Sequence, residues 1–233
     1  MKKFLINFKF FFYLYKIIKI FRNNKPSKHY GEFAEDVFIN RILKDIKRGS
    51  YVDVGCYHPY KGSLTALLYN KNWNGINIDI SKTSIDLFNL IRKRDINIHT
   101  AVSNFDGKTL YYENNLINQQ NSLIKSNSNQ KKIEVNCYTL NSIFEKFKIS
   151  KFDYLNIDVE GNELNVINGI DLNKYKPTLI TIENNDLIIE DYMESEIYKI
   201  LIKNNYILIN KIGVTNFFIK KDLEDKIPDL IKI

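Results

Sequence analysis

The chain has 233 residues, 44% hydrophobic and 26% charged, which leaves room for one α/β domain with a full core and little more. Its two cysteines, Cys56 and Cys137, form neither a disulfide framework nor a metal-ligand spacing, and they point to reduced thiols in a cytosolic compartment. The net charge of +7 is no nucleic-acid signal: residues 1–28 hold eight lysines and arginines and no acid, leaving 26 basic against 27 acidic residues in the remainder.

Residues 1–27 therefore read as a basic amphipathic arm. On a helix, Lys2, Lys9, Lys16 and Lys19 share one side, while Phe4, Phe10, Phe11, Leu14, Ile17, Ile18 and Phe21 cover the opposite arc. The lysines break the apolar run that a membrane span requires, and no small-residue cleavage site follows it. The arm is expected either to lie on an anionic membrane surface or to pack its aromatic face on protein. In the first case the protein is cytoplasmic and peripheral on the inner face of the membrane. Residues 23–27, NNKPS, form a linker, so a domain is expected over 28–233.

That domain opens with a helix over residues 30–49, its apolar side made of Phe33, Val37, Ile39, Ile42, Leu43 and Ile46. A buried strand follows at 51–54, a helix at 64–70, a turn at 73–75, a strand at 76–80, a helix at 83–92 and a strand at 96–102. Asp106-Gly107 turns the chain into an exposed strand, and polar residues 114–132 read as a loop near a site. Then come a strand at 133–137, a helix at 140–147, a strand at 154–158, the turn VEGNE, a helix at 163–168, a strand at 179–183 and a helix at 190–203. Strands at 206–210 and 214–220 close the chain as a hairpin. Alternating strands and helices imply a mostly parallel sheet with right-handed crossovers.

In such a sheet ligands bind beyond the carboxyl ends of the strands. The residues at those ends are Asp53, Gly55, Asp79, Ala101, Val102, Asp158, Glu160 and Glu183, five of them acids. The stretch YVDVGCYHP begins like a dinucleotide loop but lacks the second and third glycines of G-x-G-x-x-G. An acid-lined mouth with one glycine repels a pyrophosphate. It suits a cation that carries hydroxyls and no phosphate, as S-adenosylmethionine does. Asp53 is placed to face its aminoacyl end, with Gly55 admitting close backbone approach. Asp79 is placed to accept from the ribose diol.

The stretches YGEFAEDVFI, YVDVGCYHP, GINIDIS, AVSNFDGKTLYY, TLNSIFEKF, FDYLNIDVEGNELNVINGID and KPTLITIEN occur in this order. Together, over about residues 28–220, they resemble the FkbM family of S-adenosylmethionine-dependent methyltransferases. The resemblance implies a class I (Rossmann-like) three-layer sandwich with a mostly parallel seven-stranded sheet whose C-terminal strand is antiparallel. It implies an O-methyltransferase acting on a hydroxyl of a sugar, glycan or glycolipid-type acceptor. Asn156 stands where the family often has Lys, and Asn141 where it often has Asp. Both departures are expected to bear on substrate class rather than on cofactor binding.

For the proton of the acceptor hydroxyl, the candidate bases are Asp158, His58, Glu160 and Glu163, with Asp158 preferred. His58 is open to a second reading as a turn imidazole that shapes its loop. Asp158, Glu160 and Glu183 could instead hold a divalent cation, although no further ligand pattern supports a metal. Two other functions stay open: a nicotinamide-dependent sugar oxidoreductase, and a non-catalytic membrane-associated interaction module on a methyltransferase scaffold.

Overall fold

The computed structural model describes residues 29–113, 131–184 and 188–227, together with Leu14, Tyr15, Ile17 and Ile18, which are helical. The rest of the basic arm, and most of the polar stretch 114–132, lie outside the described residues. No helix among the described residues is long and apolar enough to cross a membrane.

Seven strands make the main sheet, in the spatial order β3-β2-β1-β7-β8-β10-β9. They are β1 (Ser50–Val54), β2 (Asn74–Asp79), β3 (Ile96–His99), β7 (Tyr154–Ile157), β8 (Leu179–Glu183), β9 (Tyr206–Ile212) and β10 (Thr215–Lys220). Neighbours pair in parallel except around β10, which runs antiparallel to both β8 and β9. This is the mostly parallel sheet with an antiparallel C-terminal strand that the sequence implies.

Alternation along each strand divides the core into two layers. On one face Val52, Val54, Leu155, Ile157, Ile180 and Ile182 meet helices α4 (Leu140–Lys146), α5 (Glu163–Asn168) and α7 (Glu196–Lys203). On the other, Tyr51, Tyr154, Leu179 and Phe217 meet α1 (Glu35–Ile42) and the end of α2 (Ala66–Asn70). Helix α3 (Lys82–Ile91) covers the β2–β3 side and buries Phe88 against Cys56 and Ile85.

Several expectations need correction. Phe33 and Val37 do not join the core; they are 60% and 42% exposed. Helix α1 starts only at Glu35, and its buried face carries Glu35 and Asp36 as well as Ile39 and Ile42. Trp73 is not a turn residue but a core one, covering Gly49, and β2 begins directly after it.

The predicted third strand divides at Thr100. Its N–H donates to the Asp79 carbonyl at 3.1 Å, and its hydroxyl donates to the Asn136 carbonyl at 2.7 Å. Residues 101–102 thus form β4 (Ala101–Val102) in a separate small sheet with β6 (Lys131–Tyr138) and β5 (Gly107–Glu113). The helix predicted at 190–203 is two helices, α6 (Ile189–Met193) and α7, because Ser195 leaves the helical backbone and accepts the Tyr198 N–H as an N-cap.

Candidate active site

The carboxyl ends of β1, β2, β7 and β8 lie side by side, and the predicted acids gather there by strand register. Asp79 ends β2 and is nearly buried. Its two oxygens each accept one backbone N–H, Oδ2 from Tyr57 at 2.8 Å and Oδ1 from Ser81 at 2.7 Å. Burial outweighs these two bonds and pushes the carboxyl up to about 6. Tyr57 delivers its N–H from a left-handed backbone, at φ 48°.

Asp53, 2% exposed, has both carboxylate oxygens engaged. Thr65 donates its hydroxyl to Oδ2 at 2.7 Å, and Asn156 donates Nδ2 to Oδ1 at 2.9 Å. Asn156 in turn accepts from Thr181 at 2.7 Å, whose hydroxyl meets that of Tyr154 at 2.7 Å. A chain of buried polar groups thus crosses β1, β7 and β8 beneath α1. Asn156, read from the sequence as lying apart from the cofactor acids, is bonded directly to one of them. Burial raises Asp53 above the usual aspartate value, and Asn156 and Thr65 oppose the rise.

Gly55 follows β1 at φ 83°, and the space a Cβ would take is filled by the Asp158 carbonyl oxygen at 1.6 Å. The close approach that the glycine permits is to the β7 loop. Ala101 and Val102 are buried in the small sheet, where the Val102 carbonyl accepts from Asn162 Nδ2 at 2.9 Å. That bond fastens the loop after β7 to the residues after β3.

Asp158, Glu160 and Glu183 form a cluster at the ends of β7 and β8. Asp158 lies well above the usual aspartate range, with Glu183 and Glu160 as acidic neighbours. Burial is the main cause, followed by Glu183 and then by Glu160 and Asp53. Glu160 is also raised, by burial first and then by Glu183 and Glu163. It sits at φ 56°, where a non-glycine residue is rare. Glu163 holds this turn through Oε1, which accepts the N–H groups of Val159 at 3.2 Å and Gly161 at 2.9 Å. Among the described residues no group of three or more His, Cys, Asp and Glu is arranged to hold a metal ion.

His58 shapes its own loop. Its Nδ1 accepts the backbone N–H groups of Tyr60 at 3.1 Å and Lys61 at 2.9 Å, which places the proton of a neutral ring on Nε2. Of the groups around the mouth, Thr65, Asn162 and Arg92 escaped the sequence reading. The first two are small polar residues that a sequence does not single out, and Arg92 stands in the run RKR, which looks like a solvated helix end.

Compared with known proteins, the chain matches the methyltransferase FkbM domain over residues 53–208. The chain belongs to the FkbM methyltransferase family. Curated proteins provide no significant match. Similar solved structures include a TehB-like SAM-dependent methyltransferase from Corynebacterium glutamicum, with 10% identity, a TM-score of 0.47, and 90% of this chain and 96% of that one covered. Another is a putative caffeoyl-CoA O-methyltransferase from Staphylococcus aureus, with 10% identity, a TM-score of 0.46, and 89% and 90% covered. The assignment rests on the domain match.

As an FkbM methyltransferase the protein uses S-adenosylmethionine as methyl donor. The donor set at the mouth fits that group. Asp79, Asp158, Glu160 and Glu183 offer carboxylate acceptors to a cation and to hydroxyls, and Asp79 spends only one lone pair of each oxygen on the backbone.

Proposed function

We propose that this FkbM methyltransferase methylates a hydroxyl group, on a sugar, glycan or glycolipid-type acceptor, with Asp158 as the general base. The observation that carries this reading is the gathering of the Asp158, Glu160 and Glu183 carboxyls at the ends of β7 and β8, where the Asp158 carbonyl packs against Gly55 of the β1 loop. An acid-rich mouth keeps an amine acceptor protonated, which hides the lone pair a methyl acceptor needs. A hydroxyl has the opposite requirement: it is a poor nucleophile until a base takes its proton. Acidic side chains also suit polyols, since each carboxylate can accept from two neighbouring hydroxyls.

Bound S-adenosylmethionine supplies an electrophilic methyl on a positively charged sulfur. Asp79 accepts from the ribose hydroxyls, while the mouth acids favour the cationic end by charge. Asp53 acts from behind, holding Thr65 and Asn156 so that the β1 and β7 loops keep their spacing. As the acceptor oxygen gains the methyl, its proton passes to Asp158. Alignment of the acceptor oxygen with the methyl supplies the larger part of the rate. Glu160 raises the basicity of Asp158 by its charge. His58 is the weaker candidate base, because taking a proton on Nδ1 would displace two backbone donors.

The test is incubation of the full chain with S-adenosylmethionine and matched panels of sugar, glycolipid, amine and thiol acceptors. Mass spectrometry should find one added methyl, as an ether, only in the hydroxyl panels. Turnover confined to amines would overturn the reading. Saturable binding of NAD without binding of S-adenosylhomocysteine would replace it with an oxidoreductase.

Asp79 gives a pH signature. Its raised value means that the empty folded state loses stability from this group as pH rises from 3.8 to about 6. Affinity for S-adenosylhomocysteine should run the other way. It is expected to be flat above pH 7 and to fall below pH ~6, by as much as about tenfold per pH unit, as the carboxylate is protonated. Asp79→Ala should weaken binding about 100-fold, the loss of charge-assisted bonds to two hydroxyls. Calorimetric titration from pH 5 to 8 checks both, and an unchanged affinity in Asp79→Ala would remove Asp79 from the site.

We also propose that residues 1–27 attach the enzyme to anionic membrane surfaces, on the strength of their unbalanced basic charge and aromatic arc. Deleting them should abolish sedimentation with anionic vesicles and leave S-adenosylhomocysteine affinity within about twofold. Equal sedimentation of both forms would exclude this attachment.

A further inference from the structure

The loop between β1 and α2 carries the Tyr57 N–H that meets Asp79 and the Thr65 hydroxyl that meets Asp53. Little of this loop's order is its own: His58 closes a turn within it, and Gly62 N–H donates to the Tyr30 carbonyl at 3.0 Å. Its main fastening comes from Arg92, directly after α3, a side chain with no exposed surface.

The guanidinium reaches the loop at three places. Nε and Nη2 both donate to the Pro59 carbonyl, at 3.2 and 2.6 Å. Nη2 also donates to Ser63 Oγ at 3.1 Å, and Nη1 to the Thr65 carbonyl at 3.5 Å. A further bond, Nη1 to the Tyr51 hydroxyl at 2.9 Å, ties the group to β1. Tyr51 passes its own proton toward Asp95 at 2.5 Å, and Asp95 lies 3.9 Å from Nη1. The guanidinium also sits over the rings of Tyr69 and Phe88, at 4.8 and 5.4 Å.

A planar cation with five donors is suited to this fan of acceptors, and a lysine ammonium is not. The same helix α3 begins at the Ser81 N-cap, whose N–H is the second donor to Asp79. One element therefore holds Asp79 at its first turn and the loop facing Asp79 just past its last.

We propose that Arg92 is a positioning residue for the methyl-donor site: it holds residues 59–65 to the end of α3 and so keeps the Tyr57 N–H on Asp79 and the Thr65 hydroxyl on Asp53. This rests on the reading of Asp79 as the acceptor of the ribose hydroxyls.

Arg92→Lys keeps the charge and loses the fan, and Arg92→Met loses both. S-adenosylhomocysteine affinity is expected to fall about fivefold in the first and at least about tenfold in the second. A purely structural loss of stability would not move the pH midpoint of binding; release of the Tyr57 N–H from Asp79 should move it upward. The other titratable groups around Asp79 are Asp53, Cys56 and Tyr57, and His99 lies beside it on β3, bonded to the Ile80 carbonyl.

Tyr206→Phe, which removes a buried bond to the Pro177 carbonyl far from the loop, serves as a destabilised control and should leave both affinity and midpoint unchanged. If Arg92→Met does not fold, Arg92→Lys decides alone. Wild-type affinity and midpoint in Arg92→Lys would overturn the proposal. Should Asp79→Ala abolish binding while the Arg92 variants bind normally, only the role of Arg92 fails. Should Asp79→Ala bind normally, the site reading itself fails.

Discussion

Gly55→Ala is expected to unfold the site and to lower stability by about 3 kcal/mol or more. Two costs add at this position. The backbone stands at φ 83°, in the region that a Cβ disfavours by about 1–2 kcal/mol, and the added carbon would lie 1.6 Å from the Asp158 carbonyl oxygen. The clash cannot be relieved by rotating a side chain, because the obstacle is backbone at the carboxyl end of β7. Separation of the β1 and β7 loops is the expected response, and it would part Asp53 from Asn156 and displace Asp158. Thermal denaturation should show a midpoint about 6–12 °C lower, with S-adenosylhomocysteine binding lost.

Gly62→Ala is the informative comparison. Gly62 has nearly the same backbone, at φ 69°, but the nearest atom to an added Cβ is Glu32 Cγ at 3.8 Å. It should lose only the conformational cost, about 1 kcal/mol, and keep binding. Equal stability of the two variants would mean that the β1 loop does not rest on the Asp158 carbonyl.

Asp158→Asn is expected to move activity and stability in opposite directions. As general base Asp158 should contribute about 10²–10⁴ in kcat, so the amide should lower turnover by that factor while S-adenosylhomocysteine binds within about threefold. Stability should rise at neutral pH. Because the folded-state value of Asp158 lies above 3.8, the folded chain holds that proton more tightly than the unfolded chain does. The group therefore favours folding most below pH 3.8, and that contribution is lost as pH rises through the folded-state value. An uncharged Asn escapes this loss. The gain in Tm should vanish near pH 4 and grow as pH rises above it. A variant with full turnover would return the base role to Glu160 or His58. A Tm that falls at every pH would mean that Asp158 stabilises the fold through an ordered hydrogen bond rather than opposing it as a crowded acid.

Much of this protein was legible in one dimension because strands and helices have different periods, and because acids at strand ends are conspicuous among apolar runs. The order of elements, the antiparallel final strand and the acids Asp53, Asp79, Asp158, Glu160 and Glu183 could all be read that way. Helix α1 resisted because its buried face is partly acidic: Glu35 and Asp36 face inward while Phe33 and Val37 face solvent, which reverses the rule that apolar residues mark the core. The break at Thr100 resisted because it depends on a carbonyl 36 residues away, at Asn136.

The sequence by itself determined the layers of the fold, the chemical class of the methyl donor, and the acids available to meet it. These follow from local pattern, from what an acid-lined strand end can bind, and from the family motifs spaced along the chain. Only the tertiary structure decided what each acid meets. Asp53 is engaged by Thr65 and Asn156, whereas Asp158 faces Glu183, and two such aspartates look alike in a chain. It also decided that the lone glycine of YVDVGCYHP makes room for a β7 carbonyl, and that Arg92 lies inside with the loop it holds. Long-range register brings those partners together, and a carboxyl or a guanidinium takes its role from the groups it meets across the sheet.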